Sequence, residues 1–134
     1  MGSEMCIRDS RCSTNNTMWR TIGHDKALNI LSKSMSEGRV SHAYLVIGPT
    51  HLGKMTLAMD LACALNCTRE GAPCGDCNQC QRITAGLHPD IRIISLLSDD
   101  TSGKSRTSIT IEQVREVQRD ASLNPVEGRN KIFV

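Results

Sequence analysis

Apolar residues recur at helical spacing in three long segments of the chain. From Asp25 to Ser36 they share one face, and Gly38 can close that helix. An almost unbroken apolar run predicts a second helix from about Lys54 to Asn66. Residues 110–123 predict a third, begun by a capping box. The shared face of the first helix holds Ala27, Ile30, Leu31 and Met35; in the last helix Thr110 and Gln113 form the box, and Ile111, Val114 and Ala121 face inward.

Shorter apolar runs predict strands at residues 43–47, 90–97 and 131–134. A short helix ending near Ala85, just before Gly86, is expected between the first two strands. Residues 98–108 are polar and predict a solvated loop, for which DNA contacts by Lys104 and Arg106 are the alternative. Because strands alternate with helices, the sequence predicts an α/β fold with a parallel sheet.

A glycine-rich loop lies between the 43–47 strand and the second helix. It matches the pattern G-x-x-x-x-G-K, in which backbone N–H groups surround a phosphate and the lysine neutralises its charge. The order strand, loop, helix is the context that this motif requires, and the alternative is a chance glycine-rich turn. The predicted nucleotide-binding residues are Gly48, Pro49, Thr50, His51, Leu52, Gly53, Lys54, Met55 and Thr56.

The loop departs from the motif at Met55, where a Ser or Thr hydroxyl normally holds Mg²⁺. A thioether is a poor ligand for this hard cation. Thr56 follows one residue later, and one helical step of about 100° prevents it from simply taking over. ATP is therefore a candidate ligand, while Mg²⁺ binding and hydrolysis are expected to be weak or absent.

Four cysteines follow the second helix with the spacing C-x6-C-x2-C-x2-C. Four thiolates without an open position suit a structural, tetrahedral Zn²⁺, and nearby glycines and a proline supply the turns that wrap an ion. The predicted ligands are Cys67, Cys74, Cys77 and Cys80, in a module of residues 67–82. Disulfides, an iron–sulfur cluster and free cysteines are the alternatives. Cys63 is expected in the core, and His88 in a loop rather than on the metal.

The two motifs together resemble the bacterial DNA polymerase III clamp-loader subunits of the gamma/tau and delta-prime types. Residues 19–23 (WRTIG), 41–45 (SHAYL), 74–80 (CGDCNQC) and 88–90 (HPD) carry the resemblance, as do 111–115 (IEQVR) and 125–129 (PVEGR). It implies an AAA+ parallel sheet with helices on both faces and an inserted zinc module. The altered residue Met55 favours the delta-prime type, whose phosphate loop is often degraded.

The resemblance implies a part in DNA replication. A delta-prime-like subunit would work in a hetero-pentamer with other clamp-loader subunits, helping to load the sliding clamp onto primed DNA as a stator rather than a motor. The alternatives are a gamma/tau-like ATPase motor and a different P-loop protein with a zinc interaction module. The resemblance also implies that another strand lies between residues 43–47 and 131–134.

Length and composition set bounds on these interpretations. The chain has 134 residues, three aromatics and a net charge of +2, which does not argue for a nucleic-acid surface. Residues 1–17 resemble vector-derived sequence and are expected to be a non-native or disordered tail, with Met18 as the native start. Residues 18–134 are expected to be the N-terminal part of a nucleotide-binding domain that stops before the Walker B acids. No signal peptide or membrane span is visible, so a cytoplasmic location is expected.

Overall fold

The computed structural model describes residues 19–95 and 109–134. In chain order the elements are α1 (Asp25–Ser36), α2 (Lys54–Asn66), α3 (Asn78–Thr84), β1 (Ile91–Arg92), α4 (Ile111–Ala121) and β2 (Ile132–Phe133). All four predicted helices are confirmed. The predicted tail at 1–17 and the predicted polar loop at 98–108, with Lys104 and Arg106, lie outside the described residues.

The helices end where local chemistry predicts. After α1, Gly38 takes a left-handed φ of +66°, which a residue without a Cβ adopts at low cost, and its amide bonds the Met35 carbonyl. At the start of α4 the Thr110 hydroxyl accepts from the Gln113 amide, and the Gln113 side chain accepts from the Thr110 amide at 3.0 Å. The predicted capping box is therefore confirmed.

A two-stranded parallel sheet joins β1 to β2. Ile91 is opposite Ile132 and Arg92 is opposite Phe133. One further bond, from the Ile94 amide to the Val134 carbonyl at 2.7 Å, continues the pairing. The parallel arrangement and the strand near the C-terminus are confirmed. Among residues 90–95, the described part of the predicted strand at 90–97, only Ile91–Arg92 form a strand, and Ile93 is exposed.

The predicted strand at residues 43–47 is wrong for the described structure. No ladder bond joins this segment to any described residue, and Leu45 and Ile47 are 86% and 83% exposed. An apolar groove of about 770 Å³, floored by α2 residues such as Leu61, is lined by both this segment and β2. A strand needs a partner for its backbone N–H and C=O groups, and β2 is not its neighbour. The expectation that another strand separates the two segments stays a prediction.

The core is small and centred on thiols. Ala62 and Cys63 from α2 and Ile83 from α3 pack around the four clustered cysteines, with Met59 and Ile132 against them. Cys63 is buried, as its place in the apolar helix predicted. The contact between α2 and α3 is thus built around the cysteines, so anything bound there lies at the centre of the packed structure.

Helix α4 contacts β1 through charges rather than through its apolar face. Arg92 bonds Glu116 at 3.1 Å and also pairs with Asp120. Ile111 and Val114 are exposed, and so is Ala121, so the prediction that these three face inward is wrong. The physical reason is that the described residues offer this helix no apolar surface over those positions. Ile30 of α1 is also exposed, whereas its neighbour Leu31 is buried.

Candidate nucleotide loop and metal centre

The glycine-rich loop forms the N-terminal approach to α2. Gly53 is the N-cap residue with a φ of +77°, and the Leu57 amide bonds its carbonyl at 2.9 Å to begin the helix. His51 also has a positive φ, +63°, which is unusual for a residue with a side chain. The structure thus places all nine predicted loop residues, 48–56, on one continuous turn and the first helical turn after it.

The Lys54 ammonium is folded back onto its own loop. It donates to the Gly48 carbonyl at 2.8 Å and to the Pro49 carbonyl at 2.5 Å. A bound phosphate would have to compete with these two carbonyls for the lysine. The phosphate oxygens carry a negative charge, which the carbonyl oxygens lack, so the phosphate is the stronger acceptor. The arrangement can therefore open to an anion without unfolding any element.

Met55 stands on the first turn of α2 and is about half exposed. Its thioether lies where the motif places a hydroxyl, and Thr56 is partly buried one position further on. The loop therefore offers charge and backbone donors to a phosphate but a soft, weak ligand to Mg²⁺.

The segment before α1 is fastened to the loop helix through a buried carboxylate that sequence reasoning missed. Asp60 of α2 accepts from the Arg20 Nε at 2.9 Å, from the Thr21 amide at 2.9 Å and from the Thr21 hydroxyl at 2.8 Å. His24 donates from Nε2 to the Leu52 carbonyl at 2.9 Å. A usable signal existed, because Asp60 is the only charged residue between Met55 and Asn66.

The four predicted metal ligands come together. The Sγ atoms of Cys67, Cys74, Cys77 and Cys80 all lie within 4.8 Å of one another, and all four residues are buried. Two Sγ pairs are closer: Cys67 to Cys77 at 3.9 Å and Cys74 to Cys80 at 4.0 Å. Sulfur atoms around a tetrahedral Zn²⁺ with bonds of about 2.3 Å are about 3.8 Å apart. The donor set and its spacing thus fit such an ion with small adjustments.

Backbone amides around the cluster favour thiolates. The Cys77 amide donates to the Cys74 Sγ at 3.3 Å, and the Cys80 amide donates to the Cys77 Sγ at 3.4 Å. Burial by itself raises the pKa of the Cys77 thiol, but hydrogen bonds from the Thr68 and Cys80 backbones outweigh it and lower the pKa to about 6. Burial raises the pKa of Cys67 and Cys80. A metal that binds here must displace those protons, so its affinity rises with pH.

A second group of polar residues, not predicted from the sequence, surrounds the turn at 126–130. The Asp90 carboxylate accepts the amides of Val126, Glu127 and Gly128 at 2.7, 2.8 and 2.7 Å. Burial raises the pKa of Asp90, but these three amides and the nearby His88 more than offset it, and the net pKa is lowered. His88 is a buried loop residue outside the cysteine cluster, as expected, but its hydrogen bonds were not foreseen.

Together, these observations define an α/β domain in which one helix joins a glycine-rich loop to a four-cysteine cluster. The sequence profile of the family described as "DNA polymerase III, delta subunit" matches residues 23–134. The chain belongs to this family of DNA polymerase III clamp-loader subunits. The alternative of an unrelated P-loop protein is therefore wrong.

Individual relatives carry the names of more than one subunit. The chain is 31% identical over 110 residues to the delta' subunit of Bacillus subtilis, covering 81% of this chain and 31% of that protein. It is 30% identical over 115 residues to the tau subunit of Escherichia coli, covering 84% of this chain and 16% of that one. It is 33% identical over 115 residues to the gamma subunit of Buchnera aphidicola, covering 84% of this chain and 29% of that protein. The chain thus spans less than a third of these relatives' lengths.

Within residues 19–95 and 109–134, the helices are all too short or too polar to cross a lipid bilayer.

Proposed function

We propose that this chain is part of the AAA+ nucleotide-binding domain of a delta-prime-like clamp-loader subunit. In this role it would sit in a hetero-pentamer with other clamp-loader subunits and help to load the sliding clamp onto primed DNA. It would act as a stator, with weak or no ATP hydrolysis of its own. A structural Zn²⁺ held by Cys67, Cys74, Cys77 and Cys80 would order the module at 67–82.

The observation that supports this proposal is a glycine-rich loop at the start of α2 with Met55 where the motif places the Mg²⁺ hydroxyl. Lys54 and the glycines are in place at the helix start, so ATP is the candidate ligand. The Mg²⁺ hydroxyl is missing, and phosphoryl transfer depends on that ion to neutralise developing charge. Such a subunit can bind nucleotide as a structural ligand while hydrolysing it weakly or not at all.

The test measures the affinity of a fluorescent ATP analogue for the parent, Met55→Thr and Lys54→Ala proteins. Each affinity is measured with and without Mg²⁺. We expect the parent to bind with little dependence on Mg²⁺. Met55→Thr should add a Mg²⁺-dependent gain of about tenfold, since one restored ligand is worth about 1.4 kcal/mol. Lys54→Ala should abolish what binding exists. Ile30→Ala, at an exposed position of α1 outside the loop, is the control and should bind as the parent does.

Equal and strong Mg·ATP affinity in the parent and in Met55→Thr would contradict the stator proposal. It would favour the second candidate, a gamma/tau-like ATPase motor that tolerates a methionine. The observation in favour of this candidate is that tau and gamma relatives match the chain as well as the delta' relative does, at 30%, 33% and 31% identity.

A further inference from the structure

The turn at residues 126–130 leads directly into β2 and is held by other parts of the chain rather than by itself. Three of its amides end on the Asp90 carboxylate. The backbone carbonyl of the same residue accepts the Ile132 amide at 2.8 Å, the first bond of the pairing between β1 and β2. The position of this turn therefore sets where β2 begins.

Two further side chains hold this turn, and each directly precedes a cysteine of the cluster. Asn66, just before Cys67, accepts the Asn130 amide at 2.8 Å and donates to the Asn130 carbonyl at 3.1 Å. Gln79, just before Cys80, donates from Nε2 to the Glu127 carbonyl at 3.3 Å.

Helix α3 adds two more connections to the same region. The Gln79 Oε1 accepts from the His88 Nε2, and the His88 Nδ1 in turn accepts the Asp90 amide at 3.1 Å. On the next turn of the helix, Arg82 pairs with the Glu127 carboxylate. The cysteine cluster is thus linked, through the backbone of α3 and the side chains of Gln79 and His88, to the residue whose carboxylate holds the turn.

We infer that the four-cysteine centre is a conformational clamp for the 126–130 turn, so that metal binding at the cysteines fixes the position of β2. This inference rests on the proposed metal site. An ion bonded to Cys67 and Cys80 would fix the backbone of Asn66 and Gln79, two of the residues that hold the turn. Without the ion, both backbones are free to move. The Asn66 and Gln79 side chains then no longer hold the turn in one position.

Close packing makes this coupling strong at one point of the turn. A Cβ built on Gly128 would lie 2.8 Å from the Asn66 Oδ1 and 3.2 Å from the His88 Cε1. Because the Gly128 backbone lies directly against Asn66, a displacement of Asn66 must displace the turn as well. A shift of the cysteine cluster should therefore change the hydrogen bonds of the turn.

The experiment measures site-resolved amide hydrogen exchange by NMR in the full chain, loaded with zinc and then stripped by a chelator under reducing conditions. Zinc content is measured separately on each sample. We expect metal removal to accelerate exchange of the Val126, Glu127, Gly128 and Asn130 amides by about tenfold or more. Amides in the middle of α1 should change far less. The Gln79→Ala variant should keep its zinc yet exchange faster at Glu127, while the matched control Gln81→Ala, on the exposed side of α3, should behave as the parent.

The two readouts separate failure of this inference from failure of the metal site. Unchanged exchange at these four amides after measured loss of zinc would overturn the clamp and leave the metal site standing. A preparation that binds no zinc under reducing conditions would overturn both. If Gln79→Ala lowers the zinc content as much as loss of a cysteine does, the residue acts on the metal itself and the clamp is likewise overturned.

Discussion

At the scale of single residues, the buried carboxylate of Asp90 holds the turn at residues 126–130. It is almost completely buried, and its oxygens accept three backbone amides from a turn 36 to 38 residues further along the chain. Hydrogen bonds to a charged acceptor contribute about 1.5–3 kcal/mol each at most, and a buried charge without them would be costly. These hydrogen bonds favour the ionised carboxylate and lower the pKa of Asp90 despite its burial.

Replacing Asp90 with Asn should destabilise the fold by about 2–3 kcal/mol, because an amide NH₂ would face amide donors. The folded pKa of Asp90 is lowered, so its contribution is present above its ordinary value of 3.8 and is lost as the pH falls through the folded pKa. The gap between parent and variant should therefore narrow in acid below about pH 4. Hydrogen exchange of the Val126, Glu127 and Gly128 amides at several pH values, corrected for the intrinsic exchange rate at each pH, checks this. A gap independent of pH would contradict it.

Gly128 permits the close approach of the turn to Asn66, and a methyl group there has no room. Gly128→Ala should cost about 1–3 kcal/mol, since the crowding atoms belong to side chains held by their own hydrogen bonds. Gly48→Ala is the matched control, because the nearest atom to a Cβ there is 4.0 Å away on a flexible lysine. Hydrogen exchange of the turn amides in the two variants measures the difference. Equal exchange in both would show that the turn can shift to accommodate the methyl group.

At the scale of elements, the sequence located the helices and the cysteine centre well because their signals are local. Helical hydrogen bonds join residues four apart, and the cap of α4 lies within three residues, from Thr110 to Gln113. The bonds that organise the 126–130 turn join residues up to 64 positions apart, as between Asn66 and Asn130. No periodicity encodes such pairs. The prediction of a strand at 43–47 was wrong because a strand also needs a partner distant in sequence, and no described strand pairs with this segment.

The module at 67–82 should depend on its metal. Ion binding at a four-thiolate site is worth on the order of 10 kcal/mol and is coupled to folding of the module. Cys77→Ser should release the zinc and loosen residues 67–82, whereas Cys63→Ala, which removes a buried thiol outside the cluster, should keep about one ion per chain. Elemental analysis of the purified proteins decides it. Less than about half an equivalent of zinc in the parent, under reducing conditions, would count against the site.

At the scale of the whole molecule, packing is uneven. The core lies between α2 and α3, around the cysteines, while large apolar side chains elsewhere remain exposed. Each strand of the sheet is two residues long, and the groove between β2 and residues 43–47 is open. A chain this size must bury a large share of its apolar surface to offset the conformational entropy lost on folding. The region around the groove contributes little to that burial.

We therefore predict that the 134-residue chain on its own associates in solution or lacks a cooperative unfolding transition, while the cysteine module stays locally ordered. Leu45 and Ile47 are exposed on a segment that pairs with no described strand, and they present apolar surface and free backbone groups that invite non-native pairing. Replacing both with Lys should reduce association, since charge opposes edge-to-edge contact. Ile30→Lys, on the exposed side of α1, is the control and should have little effect. Sedimentation velocity over a range of concentrations, combined with a thermal melt, provides the measurement, and a monomer that melts cooperatively would contradict the prediction.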